Sequence, residues 1–193
     1  MKMDLEVVEH TKTVFLIVGE SASGKDSLAN MLCENLGLKK VVSYTTRPRR
    51  IGESEDSHVF ISKDEVEQYR DDMIAYTEIN GNFYFATRQQ IMDANLYLID
   101  PTGSNHLRAL MKDDNIRFVT IYINTPPEIR RERAMMRGDL PIIYQSRVED
   151  EEYQFSYFKR AAKYDYAVSN IDINKAYQII KNIIEVEMNA ETN

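Results

Sequence analysis

The sequence predicts an α/β fold: a mostly parallel β-sheet flanked by helices, with a small β-rich lobe inserted into it. Apolar strand-like runs alternate with helical stretches along most of the chain, and this order is typical of parallel sheets. Residues 41–86 depart from it with several short strand-like pieces. A length of 193 residues suits a single domain. We predict one domain over residues 1–193, with a core of residues 12–42 and 87–185 around a lobe of residues 43–86.

Composition and charge describe an ordinary globular protein of a reducing compartment. Hydrophobic residues make up 43% and charged residues 28% of the chain, unlike the composition of a disordered protein. The acidic N-terminus and the absence of a long apolar run predict neither a signal peptide nor a membrane partner. The single Cys33 cannot form an internal disulfide, and no Cys/His cluster has zinc-ligand spacing. We therefore expect a cytoplasmic location.

Two cationic clusters stand out on a chain whose net charge is −7. They are RPRR at residues 47–50 and RRERAMMR at residues 130–137. A general nucleic-acid-binding protein is usually basic as a whole, so we predict no nucleic-acid partner. Local cation clusters on an acidic protein favour small, highly charged anions, although either cluster alone would equally suit a solvated surface.

The first strand, TVFLIV at 13–18, leads into a glycine-rich loop, GESASGKDS at 19–27. This loop fits the Walker A pattern G-x-x-x-x-G-K-[ST] at Gly19, Gly24 and Lys25, and a helix follows it. Backbone N–H groups of such a loop, with the helix N-terminus, surround phosphate oxygens. The candidate ATP-binding residues are therefore Gly19, Glu20, Ser21, Ala22, Ser23, Gly24, Lys25, Asp26 and Ser27.

The residue after Lys25 departs from the Walker A pattern. A hydroxyl at that position usually holds Mg²⁺, but this chain has Asp26, followed by Ser27. Because Mg²⁺ favours hard oxygen ligands, the Asp26 carboxylate and the Ser27 hydroxyl are both candidate metal ligands. Alternatively, Asp26 faces away from the nucleotide as an acid that suits the helix dipole. Lys25 would reach the β- and γ-phosphates of ATP.

The inserted lobe combines the strand-like pieces VVSY, VFI, IAYTEI and NFYF with one helix. Ser62 and Glu65 form a capping-box pattern at the start of that helix. A second capping box, formed by Thr87 and Gln90, marks the return to alternating helices and strands.

The second half of the core contains three further strands, predicted at 96–100, 116–123 and 164–168. Thr125 is predicted to cap a helix that opens with two prolines and a glutamate. A loop at 138–144 then precedes a helix that ends near residue 162, and INKAYQIIKNIIEVE closes the fold as an amphipathic helix.

Three segments lie at predicted carboxyl ends of core strands: Gly19, Asp100 and NTPP at 124–127. Ligands of open α/β sheets bind beyond these ends. We therefore place the site at this edge of the sheet.

Several motifs in order resemble the guanylate kinase family, from about residue 12 to 185. SYTTRPRRIGESEDSHVFIS at 43–62 and INGNFYFAT at 79–87 resemble its monophosphate-binding lobe, where the family shows S-x-T-T-R-x-x-R-x-G-E and then G-N-x-Y-G. The other matching segments are LIDPTG (98–103), INTPP (123–127), RAMMRG (133–138), Arg147 and YDYAVSNIDINKAY (164–177). The resemblance implies a P-loop kinase fold with a monophosphate-binding lobe and a helical lid at about 134–147.

The resemblance also implies a role for each matching position. The implied acceptor-binding residues are Ser43, Arg47, Arg50, Glu53, His58, Glu78, Tyr84 and Asp100. Arginine guanidinium groups and a tyrosine hydroxyl suit phosphate oxygens. The implied catalytic residues are Lys25, Asp100 and the arginines that close on the triphosphate, Arg133, Arg137 and Arg147. Asp100 would bind a magnesium-bound water or orient an arginine, or else cap its strand end, and Asn170 is implied near the adenine.

Three positions of the acceptor lobe differ from the family pattern. The family reads guanine with a glutamate nine residues before the G-N-x-Y tyrosine and with a serine two residues after it, where this chain has Ala75 and Ala86. His58 stands at the position of a phosphate-binding tyrosine, and Glu78 is a candidate replacement for reading the base. A site built on hydrogen bonds to guanine loses strong discrimination without them.

The resemblance implies an ATP- and Mg²⁺-dependent kinase that phosphorylates GMP, or a related nucleoside monophosphate, to the diphosphate as a monomer or homodimer. The GKDS sequence also resembles the loop of a relative that phosphorylates ribose 1,5-bisphosphate, although that relative usually lacks T-T-R-x-x-R. A kinase for such a phosphorylated sugar is therefore the second hypothesis. The third is a non-catalytic guanylate-kinase-like binding module, against which Lys25 and the three lid-type arginines argue.

Overall fold

The structure is a computed structural model that describes residues 12–50 and 53–189. The N-terminal stretch, in which no signal peptide is predicted, and Ile51 and Gly52 of the RPRRIGE segment lie outside the described residues. The helices and strands, in chain order, are β1 (Lys12–Val18), α1 (Lys25–Leu36), β2 (Tyr44–Thr45), β3 (Val59–Phe60), β4 (Met73–Ile79), β5 (Asn82–Thr87), α2 (Arg88–Asp93), β6 (Leu96–Leu98), α3 (Pro101–Leu110), β7 (Ile116–Asn124), α4 (Pro127–Met136), α5 (Pro141–Arg160), β8 (Tyr166–Ser169) and α6 (Ile173–Asn189).

Four strands form the core sheet in the order β6-β1-β7-β8, and every neighbouring pair is parallel. The side chains of β1 alternate between two buried clusters, one on each face of the sheet. Leu16 belongs to the cluster that includes Leu107 of α3 and Phe158 of α5. Ile17 belongs to the opposite cluster, which includes residues of α1 and α6. Helices therefore cover both faces, and the predicted α/β fold is confirmed.

The inserted segment forms a second sheet in the order β3-β2-β5-β4. β2 pairs in parallel with β3, whereas the β2–β5 and β4–β5 pairs are antiparallel. The ring of Tyr44 stacks on Phe85 with a centroid separation of 5.1 Å and contacts Tyr69 at 4.5 Å. The register of the β4–β5 pair shifts between Ile74 and Thr77. This small sheet lies beside the carboxyl ends of the core strands and forms one wall of the site described below.

Both predicted capping boxes are present. The Gln90 N–H donates to Thr87 Oγ1 at 3.3 Å, and the Thr87 N–H donates to Gln90 Oε1 at 3.0 Å. The box of Ser62 and Glu65, however, opens a 3₁₀ segment, Lys63–Tyr69, rather than an α-helix. No residue of that segment is fully buried, and its aromatic contact comes from Tyr69 at its last position, so little packing is available to stabilise a longer helix.

Three predicted boundaries are wrong. Thr125 does not cap a helix: α4 starts at Pro127 behind Pro126, and the Thr125 hydroxyl donates to the Ser23 carbonyl oxygen at 3.0 Å. α5 starts at Pro141, inside the predicted loop 138–144, because proline suits the first position of a helix. β6 ends at Leu98, two residues early, since Asp100 serves as the N-cap of α3.

No helix of residues 12–50 and 53–189 has the length and apolar character that a membrane span requires.

Candidate active site

The glycine-rich loop joins β1 to α1 at the carboxyl end of the core sheet, where the sequence places the site. Gly24 has a φ of 88°, and a Cβ there would lie 2.5 Å from Asn170 Nδ2. The Ser23 carbonyl oxygen accepts hydrogen bonds from Thr125 Oγ1 at 3.0 Å, Asn170 Nδ2 at 2.7 Å and Arg133 Nη1 at 3.1 Å. These bonds fix the loop, and only a glycine fits at position 24 without strain.

A cavity of about 450 Å³ opens in front of this loop. The side chains of Asp26 and Ser27 are exposed to solvent, and both residues line it. Its positively charged lining residues are one lysine and four arginines: Lys25, Arg50, Arg133, Arg137 and Arg147. Such a concentration of positive charge beside loop N–H groups suits a polyphosphate.

Lys25 and Asp26 form an ion pair at the mouth of this cavity. Lys25 Nζ lies 3.6 Å from Asp26 Oδ2, and 79% of the Asp26 side chain is exposed. The positive charge of Lys25 holds the pKa of Asp26 below its ordinary value, so this carboxylate is ionised at neutral pH. Asp26 and Ser27 together offer two hard oxygen donors beside the phosphate loop, and this donor set fits Mg²⁺, which keeps several of its own waters.

Glu20, a predicted ATP contact, faces away from the cavity. Its carboxylate is buried and accepts hydrogen bonds from the Tyr122 hydroxyl and from Lys159 Nζ, each at 3.0 Å. Asn170, predicted to lie near the adenine, is also fully buried and bonds to the loop instead. The neighbouring residues Ile171 and Ile173 line the cavity, whereas Asn170 does not. The side chains of Glu20 and Asn170 therefore bond within the protein, and the predicted role of Glu20 in the loop concerns its backbone N–H group.

A second cavity of about 250 Å³ lies between the core sheet and the inserted lobe. Of the predicted acceptor-binding residues, those that line it are Arg47, Arg50, Glu53, His58, Tyr84 and Asp100. The two cavities have five lining residues in common, which are Ser21, Lys25, Asp26, Arg50 and Arg147. The cavities therefore meet at the phosphate loop.

Arg47 and Glu53 form the best-defined ion pair of the second cavity. Both nitrogens of the Arg47 fork bond to the Glu53 carboxylate, Nη1 to Oε2 at 2.7 Å. Burial raises the pKa of Glu53, but the hydrogen bonds of Arg47, the Arg50 N–H and Ser57, with the Arg47 charge, lower it to about 2. Only 8% of Arg47 is exposed. The pair thus holds a guanidinium in place at the cavity wall.

Ser43 and His58 form a second polar contact of this wall. Ser43 Oγ lies 3.1 Å from His58 Nδ1, which places Ser43 behind the ring and His58 on the cavity side. The ring of His58 lies 6.0 Å from that of Tyr84 in an edge-on arrangement. Burial and the nearby Arg47 charge lower the pKa of His58. The imidazole is therefore neutral at pH 7.

Asp100 lies where β6 passes into α3, at the far side of the second cavity. Its Oδ1 atom accepts hydrogen bonds from the Gly103 N–H at 2.9 Å and from Thr77 Oγ1 at 3.2 Å. Burial raises the pKa of its carboxyl group. Asp100 is thus a helix cap that also lines the cavity, and its predicted role with a magnesium-bound water or an arginine stays a prediction.

The positions implied in reading the acceptor base do not line this cavity. Ala75 and Ala86 are buried, and Ala75 has a φ of 52° in the irregular part of β4. Glu78 is not among the lining residues of the second cavity but lies in an adjoining one of about 320 Å³. In its place α5 contributes Asp150, Glu151, Gln154 and Phe155. In the sequence, only the helical spacing of these residues after Arg147 could have indicated that they line the site, and they belong to no recognised motif.

The arginines predicted to contact the triphosphate are held by different partners. Arg133 donates to the carbonyl oxygens of Ser23 and Asn170, at 3.1 Å and 2.9 Å. Arg137 and Arg147 bond to Asp139 at 2.5 Å and 3.0 Å. Burial, with the positive charges of Arg147 and Arg47, lowers the pKa of Arg50. Arg50 is thus close enough to Arg147 and Arg47 to be repelled by their charges, and an anion between them would relieve the repulsion.

Comparison with known proteins agrees with this geometry. The family model described as Guanylate kinase matches residues 11–187. The chain belongs to the guanylate kinase family. The guanylate kinase of Brucella melitensis is 33% identical over 186 residues, which cover 89% of this chain and 81% of that relative. The guanylate kinase of Bartonella quintana is 31% identical over 186 residues, 90% of this chain and 81% of its own.

A solved structure supports the same family at the level of the fold. The crystal structure of guanylate kinase from Anaplasma phagocytophilum superimposes with a TM-score of 0.68 at 25% sequence identity. The match covers 93% of this chain and 87% of that chain. The core sheet and the inserted lobe are thus arranged as in a guanylate kinase, and the predicted family is confirmed.

Proposed function

We propose that the protein transfers the γ-phosphoryl group of ATP to the phosphate of GMP, which yields ADP and GDP. The observation that carries this proposal is the junction of the two cavities, which have Lys25, Arg50 and Arg147 among their common lining residues. A donor triphosphate on the loop and an acceptor phosphate in the second cavity would face each other across these cations. Membership of the guanylate kinase family supports the same reaction.

The phosphate loop would bind the triphosphate of ATP. Its N–H groups and the N-terminus of α1 would surround the phosphates, and Lys25 would contact the β- and γ-phosphates. Arg137 and Arg147 would neutralise charge on the moving phosphoryl group. Arg133, bonded to the Ser23 carbonyl oxygen, would hold the loop in shape as well.

Asp26 and Ser27 would hold Mg²⁺ at the loop. The bound ion would neutralise part of the phosphate charge during transfer. The ionised Asp26 carboxylate would also reduce the repulsion among the surrounding arginines.

The second cavity would bind the acceptor through its phosphate. Arg47, Arg50 and Tyr84 provide donors for phosphate oxygens, and neutral His58 adds a polar ring. Glu53 would hold the Arg47 fork in place. The acceptor phosphate is already an anionic nucleophile, so catalysis requires positioning and charge neutralisation rather than a general base.

A phosphorylated sugar is the second candidate acceptor, favoured by Ala75 and by Asp26 of the phosphate loop, and Ala86 adds to the same argument. Neither side chain can form a hydrogen bond with a base, and a site without such bonds discriminates bases weakly. The same proposal includes Mg²⁺ bound with ATP, a monomer or homodimer, and a cytoplasmic location. It includes neither nucleic acid nor a membrane as a partner.

An acceptor panel tests this assignment. ADP release from MgATP would be measured with each common nucleoside monophosphate and with ribose 1,5-bisphosphate, and Lys25→Ala would serve as the blank. We expect clear turnover with GMP. Turnover with the sugar bisphosphate alone would favour the second candidate. ATP binding without turnover of any acceptor would instead indicate a non-catalytic binding module.

A further inference from the structure

Helix α5 bonds to two consecutive residues of the phosphate loop. The Ser21 N–H and hydroxyl donate to the two carboxylate oxygens of Glu151, at 2.8 Å and 2.7 Å. Glu20, the preceding residue, accepts a hydrogen bond from Lys159 Nζ at 3.0 Å. Glu151 and Lys159 both belong to α5, and neither belongs to the Walker A pattern or to the arginine set.

The buried carboxylate of Glu20 ties the loop to three elements at once. Tyr122 of β7 donates to Oε2, while Lys159 of α5 donates to Oε1. Arg130 of α4 lies 3.9 Å from Oε1. A buried charge persists only when it is paired and hydrogen-bonded. The backbone at Glu20 is therefore fixed relative to these elements rather than free to follow a ligand.

The same helix carries Arg147, which lines both cavities. Arg147 precedes Glu151 by four residues, and residues at this spacing lie on one face of a helix. At its other side, Arg147 Nη1 bonds to Asp139 Oδ2 at 3.0 Å. The segment between Arg147 and Glu151 is thus a rigid connection, one helical turn long, from the cation in the site to the phosphate loop.

We propose that Glu20 and Glu151 are positioning residues that clamp the phosphate loop to α5 and thereby hold Arg147 at a fixed place relative to the phosphates. The inference rests on the proposed phosphoryl transfer, in which Arg147 contacts the moving group. Glu20 lines neither cavity, and both carboxylate oxygens of Glu151 already accept hydrogen bonds from Ser21. When the clamp is released, the loop and Arg147 move independently, and a misplacement of about 1 Å can cost about 100-fold in rate.

Glu151→Ala tests the clamp by kinetics. It removes both acceptors of Ser21, and we expect kcat with ATP and GMP to fall about 10- to 100-fold, while the KM of ATP changes less than about threefold. Glu149→Ala is the matched control, because Glu149 is exposed on the same helix and accepts a bond from Gln145. We expect the control to keep the wild-type kcat.

A double-mutant cycle separates positioning from general destabilisation. If Glu151 acts through Arg147, Glu151→Ala costs less than about twofold in kcat once Arg147→Ala is present. Equal losses in both backgrounds would overturn the coupling to Arg147.

Hydrogen exchange of amides 19–27 in the nucleotide-free protein tests the clamp without turnover. We expect Glu151→Ala and Glu20→Gln to speed exchange of this loop about tenfold, with α6 unchanged. Exchange equal to that of the wild type and of Glu149→Ala would overturn the clamp. A wild-type protein that phosphorylates no acceptor would instead contradict the proposed function, and the exchange result would still decide the clamp.

Discussion

At the scale of single residues, the Arg47–Glu53 pair shows how one contact serves both the lobe and the site. The guanidinium fork of Arg47 is held by Glu53 at the wall of the second cavity. The pair raises the pKa of Arg47 despite its burial and lowers that of Glu53. Both groups are thus ionised at neutral pH, as the proposed contact of Arg47 with a phosphate requires.

The Glu53 carboxyl group gives a prediction for the pH dependence of stability. Its pKa falls from 4.5 to about 2 in the folded protein. A lowered folded-state pKa stabilises the protein above the unfolded value, and this contribution is lost as pH falls through the folded value. The difference in free energy of unfolding between the wild type and Glu53→Gln should therefore be constant above pH 4.5 and shrink towards pH 2. Chemical denaturation at a series of pH values checks this, and an unchanged difference would contradict it.

Arg50 gives a prediction for acceptor binding. Because it lines both cavities, Arg50→Ala should raise the KM of the acceptor about 10- to 100-fold through loss of a charged hydrogen bond. Arg49→Ala is the matched control: Arg49 pairs with Glu55 at 2.7 Å and lines neither cavity. Steady-state kinetics with varied GMP measures both variants. The same KM change in both would mean that Arg50 acts through the lobe rather than on the acceptor.

The sequence predicted the location of some site side chains but not of others, and the difference has a physical reason. Lys25 and Arg50 belong to motifs in which the residue types and their spacing predict phosphate binding, and both line the first cavity. Glu20 and Asn170 are turned away by partners more than a hundred residues distant in the chain, Tyr122 and Ser23. Local patterns contain no information about such partners.

At the scale of elements, the capping boxes separate local preference from packing. Thr87 caps α2, whose Ile91 is fully buried. Ser62 caps a 3₁₀ segment in which nothing is buried. The same local pattern therefore precedes two different structures, because only α2 has a fully buried residue to anchor it in the core.

A pair of cap variants tests this difference. Thr87→Ala should lower the free energy of unfolding by about 1 kcal/mol, a usual value for the loss of an N-cap. Ser62→Ala, its matched control, should change it by less than about 0.5 kcal/mol, as is usual at exposed positions. Urea denaturation of both variants gives the two values. A larger loss from Ser62→Ala would contradict our explanation of the 3₁₀ segment.

Element boundaries were the least predictable part of the fold. β1 was predicted from its continuous apolar run, which a strand buried on both faces requires. The start of α5 and the end of β6 were missed, because Pro141 and Asp100 each suit either a loop or a helix start. Tertiary packing decides between these readings.

At the scale of the whole molecule, two sheets place two cavities against one loop. The core sheet carries the phosphate loop at the end of β1, and the lobe sheet supplies the wall with Tyr84. The resemblance in the sequence predicted this arrangement, since its motifs occur in order along most of the chain. The acceptor base was not predictable, because Ala75 and Ala86 stand where the family reads guanine, and the α5 residues that line the cavity belong to no motif.

Transfer of label from ATP tests the central claim most directly. The protein would be incubated with GMP and ATP labelled in the γ-phosphate, and the products separated by chromatography. We expect the label in the β-phosphate of GDP for the wild type, and no labelled GDP for Lys25→Ala. Label that enters only inorganic phosphate, or only a different acceptor, would contradict the assignment of this protein as a GMP kinase.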